Sequence, residues 1–251
     1  MAGGGIWAKI HKWLALLMAV QILLWFVSGL VMAVIPIERV RSEHAIAEVP
    51  PVPVALDQAA AGLQRLAAAG VAPGEKVELR ALLGSSVALI VPLEGRPRLY
   101  DLATGRPLSP IPMTFAARIA EADHAGEARA VRIERIAAND SEYRGALPAW
   151  RVDFDDGAKR SLYVAADTGA VMARRSTLWR VYDFLWGLHI MDWRNHEDFN
   201  HPLLIAASVL ALALTVAGIV LLPDRLGYTA WRRRRRARLS ATRTPTAAPP
   251  G

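Results

Sequence analysis

Two stretches of this chain carry no charged side chain and are long enough to cross a bilayer, and they constrain everything between them. The first is the 25 residues between Lys12 and Glu38, WLALLMAVQILLWFVSGLVMAVIPI; the second is the 22 residues from Pro202 to Pro223. A helix needs about 20 apolar residues to span the hydrocarbon core. Two such runs in 251 residues predict two transmembrane helices, over 13–37 and 201–223, rather than two buried helices of a soluble core. The first run is longer than the roughly 7–15-residue apolar region of a signal peptide, and no A-x-A-like site closes it, so it reads as a retained anchor.

The spans give the formal charge of +7 its meaning. Residues 1–37 carry +2 from Lys9 and Lys12, residues 224–251 carry +7 from eight Arg and Asp224, and the loop 38–201 carries −2. Lys and Arg near span ends stay on the cytoplasmic side. The reading is therefore a cytoplasmic amino terminus (1–12), an extracytoplasmic loop, and a basic, disordered cytoplasmic tail (224–251). WRRRRRARL reads as an orientation signal, with nucleic-acid binding and specific lipid binding as the lesser alternatives. Zero cysteines exclude disulfides, Cys-ligated zinc, iron–sulfur clusters and thiol catalysis.

Inside the loop, Pro50, Pro51 and Pro53 mark an extended linker over 38–54. DQAAAGLQRLAAAG then has helical spacing and stops at Gly70, and KVELRALLG, SVALIVPLEG and RPRLYDLATGRPLSPI are short β-prone runs divided by Gly or Pro. TFAARIAEADHAG begins a second helix, again followed by strands, with Asp156-Gly157 as a hairpin turn. The two halves, 55–112 and 113–177, carry LYDLATG and LYVAADTG, whose glycines are 64 residues apart. Asp and Thr side chains bonding nearby N–H groups, with Gly at positive φ, explain both strings as turns. The fold class expected is an α+β extracytoplasmic module of two helix-plus-antiparallel-strand repeats, anchored by two transmembrane α-helices.

The strings LYDLATGRPL and LYVAADTGAV, set between HKWLALLMAVQILLWFVSGLVM and WGLHIMDWRNHEDFNHPLLIAASVLALALTVAGIVLL, resemble the PepSY-associated transmembrane proteins of bacterial inner membranes. The resemblance covers roughly residues 6–226. It implies an inner-membrane protein with a periplasmic PepSY-like module, and a non-enzymatic sensory, inhibitory or accessory role with a periplasmic protein or peptide partner. Larger relatives include proteins linked to siderophore-iron reduction.

Four of six histidines, His44, His189, His196 and His201, fall near the expected outer ends of the spans. Residues 178–200 read as an interfacial amphipathic segment, with Trp179, Tyr182, Trp186 and Trp193 suited to the headgroup level. His189, His201 and a folded-back His44 are the candidate ligands for a haem b iron, which two imidazoles can hold axially. The competing reading makes them interfacial or capping residues, with Asn200 as N-cap before Pro202. Without C-x-x-C-H, covalent haem attachment is excluded. His124 reads as a solvated loop residue. Small and weakly polar residues, Gln21, Trp25, Ser28, Gly29 and Met32 on the first span and Ser208, Ala211, Thr215 and Gly218 on the second, predict packing seams. Neither span holds an acid or base, and two helices are few for a transport path without a second copy, so a homodimer is the oligomer to expect. No catalytic motif is present.

Overall fold

A computed structural model describes residues 3–48, 50, 53–72 and 74–241. The chain enters through helix α1 (Gly3–Val34), a short turn of helix α2 (Ile37–Val40), a 3-10 turn (Glu43–Ala45) and helix α3 (Leu56–Ala68). Strands β1 (Lys76–Leu82), β2 (Ser85–Val91) and β3 (Arg98–Asp101) follow, then helix α4 (Met113–Asp123). Strands β4 (Ala130–Ile136), β5 (Ala149–Phe154), β6 (Ser161–Ala165) and β7 (Val171–Arg175) lead to helices α5 (Thr177–Ile190), α6 (Pro202–Arg225) and α7 (Tyr228–Ala241). These elements divide into two compact units: residues 1–29, 187–193 and 197–251 in one, residues 30–186 and 194–196 in the other.

The first unit is the membrane pair. Ile6–Val34 and Pro202–Pro223 are each long and apolar enough to cross a bilayer. Most of their large side chains are exposed, among them Leu17, Val20 and Phe26 on α1 and Val209, Leu212 and Ile219 on α6. Hydrocarbon removes the penalty that water would impose on such a surface. The helices run antiparallel, and Met18 packs with Ala207 and Leu214 between them. On α1 the expected seam is present at Trp25 and Ser28, with Ser28 buried. On α6 the expected stripe holds at Ala211 and Gly218 but not at Ser208 and Thr215, which are exposed; Leu204, Ala207 and Leu214 complete the face toward α1. Thr215 satisfies its hydroxyl within its own helix, donating to the Ala211 carbonyl at 2.9 Å. Alanine and leucine need no partner there, so they take the close contact.

α6 begins at Pro202, where a missing N–H costs nothing. Its first backbone bond runs from Ile205 to the His201 carbonyl, so His201 rather than Asn200 holds the capping position. Beyond α6, Gly227 at φ +69 breaks the helix and the Arg-rich stretch resumes it as α7, where the tail was expected to be disordered. Ala, Arg and Leu favour helix once the chain has turned. Residues 242–251 lie outside the described residues.

The second unit holds two antiparallel sheets, ordered β1-β2-β3 and β4-β5-β6-β7. β2 is apolar on both faces because both are covered. Ala88 and Ile90 pack with Tyr100, Leu102 and Leu66 of α3, and Val87 with Leu99 joins the core formed by α4 and the second sheet. That core holds Ile119 and Ala120 of α4 against Val152, Phe154, Leu162 and Val164. A strand with both faces buried loses alternation, which is why SVALIV reads as a continuous run.

The LYDLATG and LYVAADTG strings make the same turn. Gly105 donates to the Asp101 carbonyl and Gly169 to the Ala165 carbonyl, each at 2.8 Å, with both glycines at positive φ. Structural equivalence is therefore a constant 64 residues, which pairs Tyr100 with Val164 and not with Tyr163. The tyrosines consequently sit on opposite faces: Tyr100 joins the α3 core, while Tyr163 stacks on Tyr143 at 4.8 Å. Asp101 works as turn chemistry, its Oδ1 accepting from Thr104 N at 2.7 Å. The β5–β6 connection is longer than an Asp-Gly hairpin; it takes residues 155–160, with Lys159 and not Gly157 at positive φ.

Candidate functional site

The six histidines separate into different surroundings. His189 near the end of α5 and His201 before α6 belong to the membrane unit, whereas His44 lies in the other unit. His189 Nδ1 is 2.9 Å from the Ser28 hydroxyl, and its carbonyl accepts from the Trp25 indole at 2.8 Å. His201 has a buried Nδ1 with no hydrogen-bond partner among the described residues. His44 is exposed on the 3-10 turn, its Nε2 3.4 Å from an Arg160 nitrogen. His196 pairs with Asp183 at 2.6 Å. His124 departs most from expectation: it is 6% exposed, stacked on Phe154 at 4.7 Å, with Nε2 3.0 Å from Asp156. The sequence placed it in a loop after α4, but an antiparallel bridge from Ile46 covers that loop.

In the sheet unit, β1 and β7 each pair on one side only. Both line one cleft of about 710 Å3, with Ile119 and Asp123 of α4 as part of its wall and Pro50 and Val54 of the linker at its margin. One end is closed by the turn after β6: a Cβ on Gly169 would lie 3.2 Å from Leu82 and 3.3 Å from Ile119. The lining is mostly aliphatic, with three charged groups. Arg174 Nε donates to Asp123 at 2.7 Å, which neutralises both. Arg80 donates to the Thr168 carbonyl, and its buried Nε has no partner among the described residues. Among the described residues the cleft thus offers two unpaired strand edges, an apolar surface and one guanidinium without an ion pair.

A charged cluster fixes the other side of the sheet. Glu142, in the β4–β5 connection, accepts from Arg180 of α5 at 2.8 and 3.0 Å and from the Tyr163 hydroxyl at 3.1 Å. Arg151 stands 3.9 Å away. Burial would raise the Glu142 carboxyl, but the Arg180 hydrogen bonds and charge, with Arg151 and Tyr163, hold it below its ordinary value. Burial and the Glu142 charge push the Tyr163 phenol up. Every member has an opposite or hydrogen-bonded partner, so the cluster is structural in character: it ties α5 to the sheet.

The family model of the PepSY-associated TM region matches residues 8–244. The chain belongs to this family. No curated protein and no solved structure matches it. A PepSY-associated membrane protein with two apolar helices and an antiparallel α+β module agrees with the resemblance seen in the sequence. The sequence of this PepSY-associated chain did not point to the cleft, because its lining comes from residues far apart, Arg80 and Gly169 among them. One signal was available: KVELRALL opens the strands and AVMARRS closes them, and both carry charged side chains, as edge strands do.

Proposed function

We propose that this protein is a non-enzymatic, membrane-anchored binding module whose cleft between β1 and β7 takes an extended peptide segment of a protein partner. The observation that carries the reading is the presence of two unpaired strand edges on one apolar cleft. An extended segment adds to such an edge through its own backbone, and alternate side chains enter the pockets. The unpartnered Nε of Arg80 favours a segment with an acidic residue. Hydrogen exchange on the full-length protein in detergent tests this. Adding a library of alternating apolar and acidic peptides should slow the amides of Lys76–Leu82 and Val171–Arg175. A library with lysine in place of the acids should do so far less. Unchanged exchange in both strands with either library overturns the reading.

The charge distribution supports an inner-membrane orientation with both termini cytoplasmic and the sheet unit periplasmic. The two turns with a constant 64-residue offset support two PepSY-like repeats. Reporter fusions should report residue 120 outside and residue 240 inside; the reverse overturns the orientation.

A second reading is favoured by the buried, unpartnered Nδ1 of His201 in the same unit as His189: these two imidazoles would hold a haem b, which would supply a one-electron redox centre. Protein purified from haem-replete cells should then show a Soret band lost in His189→Ala or His201→Ala. A colourless protein eliminates the cofactor.

A further inference from the structure

At the end of the membrane pair that carries the amino terminus, α1 and α6 enclose a groove of about 490 Å3. Lys9 and Lys12 of α1 and Arg225 of α6 line it, and none of the three forms an ion pair among the described residues. Its inner wall is apolar. His11 Nδ1 donates to the Leu214 carbonyl at 3.2 Å, and the ring lies against Gly218, where a Cβ would come within 3.1 Å of it. Leu222 belongs to this groove and also to a second one of about 540 Å3, formed where Gly227 turns α6 into α7. The second groove is walled by Leu226, Tyr228 and Trp231. Above those rings lie further cations: Arg232 is 5.8 Å from the Tyr228 centroid and Arg235 is 5.5 Å from that of Trp231.

A cationic rim around an apolar cavity, opening onto a membrane-facing helix, matches one ligand chemistry. We propose that the two grooves form one binding site for an anionic glycerophospholipid. Its phosphate sits among Lys9, Lys12 and Arg225, and one acyl chain lies along Leu222 and Leu226. Orientation signalling needs only that positive charges lie on this side of the bilayer. It does not need them to converge on an apolar groove from two helices. The site is independent of the peptide cleft, which lies in the other unit.

Native mass spectrometry of the full-length protein, released from mixed micelles of phosphatidylglycerol and phosphatidylcholine, tests the proposal. The wild type should retain phosphatidylglycerol selectively. Lys12→Gln with Arg225→Gln should weaken that retention about 30-fold, since each cation near the headgroups contributes about a factor of five. Arg233→Gln with Arg234→Gln removes the same charge from α7 outside the grooves and should change retention little. Gly218→Leu keeps every charge and fills the inner wall, so it too should lose the lipid. Equal losses in the two charge-matched pairs, or equal retention of phosphatidylcholine, would overturn the site. Displacement of the lipid by millimolar inorganic phosphate would overturn it as well, by making the rim a phosphate site without need of the acyl groove.

Discussion

Arg180 grips Glu142 with both arms of its guanidinium, at 2.8 and 3.0 Å, and so clamps α5 onto a loop 38 residues earlier. The same guanidinium donates to Ser161 on β6 and to the Lys159 carbonyl. Arg180→Ala should therefore lower the stability of the sheet unit by roughly 1.5–3 kcal/mol, the range for hydrogen bonds to charged groups. Arg180→Lys should recover only part, because an ammonium cannot reproduce the planar fork. Thermal unfolding of the full-length protein in detergent, followed by near-ultraviolet circular dichroism, measures both. A value unchanged for Arg180→Ala would show the clamp to be dispensable.

Glu142 and Asp156 are both held below the ordinary carboxylate range. Burial raises each, but the hydrogen bonds and charge of Arg180 outweigh it at Glu142, and those of His124 and Arg160 at Asp156. A depressed carboxyl stabilises the fold above its unfolded value, and that contribution disappears as pH falls through the folded value. Stability should be level above about pH 5 and should fall progressively below about pH 4. Glu142→Gln should flatten part of that fall while lowering the plateau. A titration of unfolding midpoint against pH reads both effects.

Much of this architecture was legible in the sequence because bilayer length and turn chemistry are local constraints. The uncharged run between Lys12 and Glu38 predicts α1 almost to its end, and Thr-Gly at 104–105 and 168–169 predicts both turns. Half of the α6 seam, Ala211 and Gly218, is legible; Ser208 and Thr215 attract attention as polar groups, while their neighbours Ala207 and Leu214 make the contact. His124 was misread for a different reason. Its burial depends on Ile46, almost 80 residues earlier, on Phe154 at the end of β5 and on Asp156 in the connection that follows it. No window around AEADHAGE contains those partners. The candidate site divides in the same way: the histidines are visible as a cluster in sequence, whereas the cleft exists only once two sheet edges are brought together.

Gly62 in α3 is fixed by a close approach. A Cβ there would lie 2.8 Å from the Leu102 Cβ and 2.9 Å from its carbonyl oxygen, which is backbone and cannot swing aside. Alanine would gain about 1 kcal/mol of helix propensity. Overpacking against backbone costs typically 1–3 kcal/mol, so Gly62→Ala should be net destabilising, and α3 should exchange its amides faster. A variant more stable than the wild type would mean that α3 can move away from β3 freely.

The pair His124 and Asp156 should respond unequally to mutation. Asp156 has three further reasons to be charged besides His124: its Oδ1 accepts from Arg160 N at 2.9 Å, its Oδ2 from the Arg160 guanidinium at 2.5 Å, and the Arg160 charge itself favours the carboxylate. His124 contributes one hydrogen bond, yet it also buries an Nδ1 that no group among the described residues satisfies. Phenylalanine fills a similar volume, keeps the stack on Phe154 and removes the orphaned nitrogen, so His124→Phe should cost under about 1.5 kcal/mol. Asp156→Ala leaves Arg160 and His124 unpaired in a mostly buried setting and should cost about 3 kcal/mol or more. Urea unfolding of the two variants decides the matter. Equal losses would mean that the imidazole, and not the Asp156–Arg160 pair, holds the β5–β6 connection against the end of α4.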